Sequence, residues 1–107
     1  MTEQTLFILA GFDGGERHGY GIARTAEELS EGRVRLTAGT LYGALGRLSE
    51  QGLIEETDER VVEGRRRRYY RITATGEGAL AAEIERMRAT AATLRRRSAG
   101  RANPEPA

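Results

Sequence analysis

The spacing of apolar residues changes near Gly52, and this change restricts the fold more than any other feature of the chain. Before Gly52 the apolar residues recur at helical intervals. After it, polar and apolar residues alternate as in a half-buried strand, and helical spacing then returns. Because 107 residues make one ordinary domain, we expect a mainly α, α+β fold whose helices and one hairpin share a small core.

Three short helices are predicted in the first half of the chain. The third is the clearest, because Leu41, Leu45 and Leu48 form a single apolar stripe and Thr37 is a credible N-cap. Glycines end the first and second helices. The predicted helices cover residues 3–12, 19–30 and 37–52.

A β-hairpin with a basic tip is predicted next, from strands at residues 53–57 and 68–72 with Gly64 at the turn. Tyr69 and Tyr70 would then point to opposite faces of the strand. Three helices followed by a hairpin are typical of a winged helix-turn-helix domain, here with a two-stranded wing.

The last predicted helix begins after Thr73 or Thr75 and runs to about Arg97. Its apolar residues step by 4, 3, 4 and 3 positions, as in the seam of a coiled coil. A body this small cannot cover so long an apolar seam, so we expect a partner surface there. The seam residues are Leu80, Ile84, Met87, Ala91 and Leu94.

Missing residue types exclude most chemistry. With no cysteine and one histidine, the chain lacks a disulfide framework, a thiolate nucleophile and a multi-histidine metal site. His18 has no nucleophile arranged around it, so a capping or packing role is predicted. We expect no enzyme, no cofactor and no metal. The longest apolar run, residues 6–10, is far shorter than the roughly 20 residues of a membrane span, and no signal peptide is apparent, so a cytoplasmic protein without membrane contact is expected.

The net charge of +1 conceals an asymmetry. Residues 1–59 hold 5 Arg and 11 acidic residues, whereas residues 60–107 hold 12 Arg and 5 acidic residues. A polarised chain leaves nucleic-acid binding open. The densest cationic cluster is the hairpin tip, where it would contact phosphates or enter a minor groove. Acidic residues on the partner strand would neutralise part of it through cross-strand ion pairs. The tip residues are Arg65, Arg66, Arg67 and Arg68.

The third helix is the candidate recognition helix. With its leucine stripe inward, Gly39, Gly43 and Gly46 point outward. Each glycine destabilises a helix by about 0.8–1 kcal/mol relative to alanine, which favours the close approach of DNA over the alternatives of tight helix packing or codon-biased drift. The candidate contacts to base edges or phosphates are Thr37, Thr40, Tyr42 and Arg47.

Three ordered motifs resemble the PadR family of bacterial transcriptional regulators over roughly residues 5–97. They are His18-Gly19-Tyr20, the segment TAGTLYGALGRLSEQGLI at residues 37–54, and Arg67 to Thr73 with Gly76. The resemblance implies a winged helix-turn-helix domain at residues 1–73 and a C-terminal dimerisation helix at residues 74–97. Residues 98–107, which hold both prolines, are predicted to form a disordered tail. It also implies a homodimeric repressor that binds an inverted-repeat operator in double-stranded DNA and is released by a small molecule.

The resemblance further implies DNA contacts at Tyr20, Thr40, Tyr42 and the hairpin arginines. Gly43 stands where the family commonly has proline, and Gly21 where it often has an acid. Since the chain has no tryptophan, the stacking ligand site of the family's multidrug-binding members is unsupported. An aliphatic cleft lined by Leu80, Ile84 and Met87 remains the candidate effector site.

A dimeric winged-helix module that binds a protein, without specific DNA binding, is the alternative. The acidic first half and the nearly neutral hairpin favour it.

Overall fold

The computed structural model describes residues 1–102 of the chain. This part of the chain contains four helices and one small antiparallel sheet. No helix among these residues is long and apolar enough to cross a membrane. The elements are α1 (Glu3–Ala10), β1 (Arg17–His18), α2 (Gly19–Leu29), α3 (Ala38–Glu50), β2 (Ile54–Val62), β3 (Arg65–Ile72) and α4 (Ala74–Ala102).

Each helix begins at a side chain that accepts a hydrogen bond from the backbone N–H three residues later. Thr2, Thr37 and Thr73 do so at 3.1, 3.2 and 3.0 Å, and His18 caps α2 through Nδ1 at 3.1 Å. Each bond satisfies a backbone donor that the helix leaves without an intrahelical partner. The predicted cap at Thr37 and the capping role of His18 are confirmed, and Thr73, not Thr75, caps α4.

The core lies where α1, α2 and α3 meet the sheet. The predicted stripe of Leu41, Leu45 and Leu48 faces inward, with at most 4% of each residue exposed. Tyr70 is buried at the base of β3, whereas Tyr69 on the other face is half-buried. The remaining core residues are Ile8, Leu9, Phe12, Ile22, Ala44 and Ile54.

The sheet has three strands, so the prediction of a two-stranded wing is wrong. The strand order is β1-β3-β2, and β1 pairs antiparallel with β3 through Arg17 opposite Tyr70 and His18 opposite Tyr69. A strand of two residues shows no alternation to read, and its partner is more than 50 residues away in the chain. Local patterning could not reveal it.

The hairpin strands are longer than predicted and pair up to the turn. Val62 lies opposite Arg65, and Glu63 and Gly64 form the turn with φ of 53° and 76°. Two consecutive residues with positive φ are typical of a type I′ turn, which matches the twist of the flanking strands. The prediction of Gly64 as a turn residue is confirmed. A register shift between Glu56 and Asp58 interrupts the pairing in β2.

Helix α4 extends over 29 residues, about 43 Å at 1.5 Å per residue. It continues to Ala102, so the prediction of a disordered tail is wrong for residues 98–102. The remainder of the predicted tail, residues 103–107, lies outside the described residues. Leu80 packs against the core, Ile84 and Met87 still border α1 and α2, and the helix projects beyond the body after them. The division of the chain at residue 73 stays a prediction.

The start of α4 lies against Leu53, just before β2, and against the end of β3. Gly76 is buried, and a Cβ there would lie 2.0 Å from the Leu53 carbonyl oxygen and 2.7 Å from Cγ1 of Ile72. That carbonyl also accepts a hydrogen bond from the Thr73 N–H at 3.0 Å. The Leu53 carbonyl cannot move away without breaking its hydrogen bond to the Thr73 N–H. Only glycine therefore fits at residue 76.

We therefore expect Gly76→Ala to lower the free energy of unfolding by at least about 1–3 kcal/mol, the range of an overpacked core, as measured by urea denaturation. Gly78→Ala is the matched control. A Cβ there meets nothing within 4 Å, so the gain in helix propensity should stabilise the protein by up to about 1 kcal/mol. Equal urea midpoints for Gly76→Ala and the unmodified protein would contradict this packing of Gly76 against Leu53.

Candidate nucleic-acid interface

Three exposed glycines leave part of the outer surface of α3 without side chains. A Cβ added at Gly39 or Gly46 would meet nothing within 4 Å, and one at Gly43 would meet only Nη1 of Arg47 at 3.7 Å. No other helix among residues 1–102 covers these glycines, so packing within the chain does not explain them. This surface is open to a partner that approaches the backbone closely.

Two tyrosines flank a groove between α2 and the start of α3. Tyr20 is 65% exposed and Tyr42 is 42% exposed, and both line this groove. The Tyr42 ring lies over Gly19, where a Cβ would come within 3.0 Å of the phenolic oxygen. The absence of a side chain at residue 19 therefore leaves room for the Tyr42 ring in this position.

At the start of α3, two hydroxyls are already engaged with each other. Thr37 accepts the Thr40 N–H, and its own hydroxyl donates to the Thr40 hydroxyl oxygen at 3.0 Å. The Thr40 hydroxyl proton remains available to an outside acceptor. Arg47 is exposed on the same helix and makes no ion pair within the described part of the chain.

The four tip arginines do not form one cluster. Successive side chains of a strand point to opposite faces, so Arg66 and Arg68 line a cleft with Tyr42 on the α3 side of the sheet. Arg67 lies on the other face and lines a cleft with His18. Only one pair of tip arginines therefore adjoins the candidate recognition helix.

Cross-strand ion pairs form along the wing, as the sequence predicted. Arg66 Nη1 lies 3.6 Å from Glu59, and Arg68 Nε lies 3.9 Å from Glu56. These side chains are exposed, and such pairs contribute at most about 1 kcal/mol. A phosphate therefore competes easily for either arginine. Arg65 and Arg67 make no ion pair among residues 1–102.

The structural roles of Gly19 and Arg60 were not predicted from the sequence. Arg60 reaches Glu16 at 2.6 Å and Asp58 at 2.7 Å, and its guanidinium lies 4.2 Å from the centre of the Tyr69 ring. These contacts hold the wing against the segment before β1. Both residues act through long-range contacts, which spacing along the chain does not show.

His18 contacts both α2 and the sheet. Burial lowers the pKa of His18 below its usual value, and the charges of Arg67 and Arg17 lower it further. The ring accepts the Gly21 N–H through Nδ1, and it packs edge-on against Tyr69 with ring centres 5.8 Å apart. These contacts make His18 a structural residue between β1 and α2.

Part of the predicted seam of α4 borders an apolar groove of about 260 Å³. Leu80, Ile84 and Met87 line it from α4. Ile84, Met87 and Leu94 are 53%, 45% and 57% exposed, and Ala91 and Leu94 lie farther along the projecting helix. The other lining residues are Leu6, Phe7 and Ala10 of α1 and Leu29 of α2.

Known proteins are similar to this chain in sequence and in fold. The transcriptional regulator Rv3488 of Mycobacterium tuberculosis is 44% identical over 75 residues, which cover 70% of this chain and 66% of that protein, just under two thirds of its length. A PadR family transcription regulator from Clostridium difficile superposes with a TM-score of 0.72 at 24% identity, over 89% of this chain and 97% of the other.

Bacillus subtilis PadR in complex with operator DNA superposes with a TM-score of 0.64 at 21% identity, over 75% of this chain and 45% of that one. These two structural likenesses confirm the winged-helix fold. A sequence model of the transcriptional regulator PadR-like family matches residues 8–82. The chain therefore belongs to the PadR-like family of transcriptional regulators.

Proposed function

We propose that this regulator is a homodimeric repressor that binds an inverted-repeat operator through α3 and the wing. The observation that supports this most is the bare surface of α3, edged by an exposed tyrosine and two weakly paired arginines. The complex of a structural neighbour, Bacillus subtilis PadR, with operator DNA supports DNA as the ligand.

The side chains available for reading bases are few. Tyr42, Arg47 and the acidic Glu50 are the long exposed side chains on α3, and Thr40 has a free hydroxyl proton. Tyr20 stands beside Tyr42 on the same groove. Thr37 offers the start of α3 to a phosphate, since the first N–H groups of a helix attract anions. Base contacts would come from the middle of the helix, and phosphate contacts from its start.

The wing supplies the cationic part of the interface. Arg66 and Arg68 adjoin Tyr42, so they would contact the backbone next to the bases that α3 reads. Arg65 at the turn and Arg67 on the other face would reach phosphates farther along the duplex. Arginine contacts to phosphates release counterions, so binding should weaken steeply as salt rises.

A second copy of the chain is the proposed partner for α4. The exposed seam of Leu80, Ile84, Met87, Ala91 and Leu94 would pack against its equivalent as in a coiled coil. Two-fold symmetry then presents two α3 helices to successive grooves, about 34 Å apart. A small aliphatic effector that releases the repressor would enter the groove beside Ile84 and Met87.

Binding to the DNA upstream of the protein's own gene tests the repressor. We expect this duplex to bind at least about 10³-fold more tightly than random duplex of equal length, measured by fluorescence anisotropy at several salt concentrations. Equal affinity at every salt concentration would contradict specific binding. If a protein partner also co-purified, that result would favour the alternative interaction module.

Two sets of variants separate base reading from phosphate binding. Tyr42→Ala should weaken operator binding by about 1–3 kcal/mol, the cost of one lost base contact, and leave random duplex less affected. The double variant Arg66→Ala, Arg68→Ala should weaken both and flatten the salt dependence by up to about 1.8 in log–log slope, or 0.9 per contact.

Arg71→Ala is the matched control for the wing. Arg71 lies on the same strand, away from the tip, and is paired with Glu55, so its loss removes one charge and frees one carboxylate, half of what the double variant does. An effect of Arg71→Ala on DNA binding equal to half that of the double variant would show that net charge, not position, matters.

The dimer is tested separately from DNA. Leu94→Glu should convert a sedimenting dimer into a monomer at micromolar concentration, because a charge would enter the apolar seam. Ala89→Glu introduces the same charge on the opposite face of α4 and should leave the dimer intact. An unmodified protein that sediments as a monomer would contradict the proposed role of the helix.

A further inference from the structure

An open cleft of about 490 Å³ lies between α2 and the face of the sheet that carries Arg67. Tyr20 is at its edge. Arg17, Arg24 and Arg67 line it from three different elements. Glu28 is the one carboxylate among its lining residues. The cleft therefore has an excess of two positive charges.

None of these three arginines has an acidic partner among residues 1–102. This differs from the neighbouring wing, where Arg60, Arg66 and Arg68 are all ion-paired. Charged side chains that converge on a cleft without counterions repel one another, and an anion between them would remove that cost.

Arg17 is fixed in place without being neutralised. Its Nη1 donates to the Gly11 carbonyl oxygen at 2.8 Å and to the Thr25 hydroxyl, which are both neutral acceptors. Arg17 is half-buried as a residue, and its Nη2 lies beside Gly21. It is thus a preorganised donor, since packing and hydrogen bonds already hold it at the cleft.

Gly21 keeps this donor accessible. A Cβ at residue 21 would lie 3.1 Å from Nη2 of Arg17 and 3.3 Å from Cε1 of His18, so a side chain would occupy the space in front of the guanidinium. The start of α2 is also at this wall, and the positive end of the helix dipole favours an anion there. The lowered pKa of His18, caused first by burial and then by Arg67 and Arg17, agrees with a positive potential in the cleft.

We propose that this cleft binds a phosphate group, held by Arg17, Arg24 and Arg67. A guanidinium matches the geometry of phosphate oxygens with two parallel N–H donors. The geometry favours the backbone of bound DNA as the source, because Tyr20 lines both this cleft and the groove beside α3. In this form the inference rests on the proposed function and adds Arg17 and Arg24 to its DNA contacts. A free phosphorylated small molecule is the other source of the same chemistry.

The phosphate site is tested first without DNA. Inorganic phosphate is titrated into the full chain at constant ionic strength against chloride, and the backbone N–H signals of Gly21 and Thr25 and the arginine Nε–H signals are followed by NMR. We expect saturable shifts confined to the cleft and at least about fivefold weaker binding in Arg24→Ala and Arg67→Ala. Arg33→Ala removes an equal charge at a remote pair with Glu3 and should leave the titration unchanged. Shifts that do not saturate, or that are equal in all variants, would overturn the proposal even if the protein binds DNA.

Random duplex DNA then identifies the source of the phosphate. If the DNA backbone enters the cleft, Arg24→Ala should reduce the log–log salt slope by about 0.9, the value for one lost phosphate contact, and Arg33→Ala should not. A saturable phosphate site with an unchanged slope would overturn the DNA backbone as the source and assign the cleft to a free phosphorylated molecule. Saturable phosphate binding in a protein that binds no duplex would overturn the proposed function and leave the cleft in place.

Discussion

Burial of the leucine stripe of α3 is the constraint on which the rest of the interface depends. Leu41, Leu45 and Leu48 can bury together only in one rotation of the helix, because their spacing puts them on a single face. That rotation places the three glycines outward and Tyr42 against Gly19. The hydrophobic core and the candidate DNA surface are therefore two faces of one helix, and the core determines the orientation of both.

The parts of this fold that depend on local chemistry were predictable from the sequence. The cap at Thr37, the turn at Gly64 and the inward stripe of α3 each depend on residues at most seven positions apart in the chain. Three features were not predictable. Strand β1 is too short to show a pattern, α4 continues through residues that have no apolar seam, and the wing strands extend up to the turn despite a register shift between Glu56 and Asp58.

The candidate site was predictable in composition but not in arrangement. The exposed positions on α3 followed from helical geometry alone. The run at Arg65 to Arg68 suggested a single basic tip, whereas strand geometry directs Arg66 and Arg68 toward Tyr42 and Arg67 toward His18. Arg17 and Arg24 drew no attention in the sequence, since isolated arginines in an acidic half of the chain have no recognisable motif. Their convergence with Arg67 requires the pairing of β1 with β3.

The bare surface of α3 also sets stability against recognition at the same three positions. Alanine at Gly39, Gly43 or Gly46 would meet no serious obstacle within the chain and would stabilise the helix by about 0.8–1 kcal/mol each. In the proposed complex with DNA, the same methyl groups would hold the duplex away from the backbone of α3. A stiffer recognition helix is thus within reach of single substitutions, and natural selection for a close fit to DNA would act against every one of them.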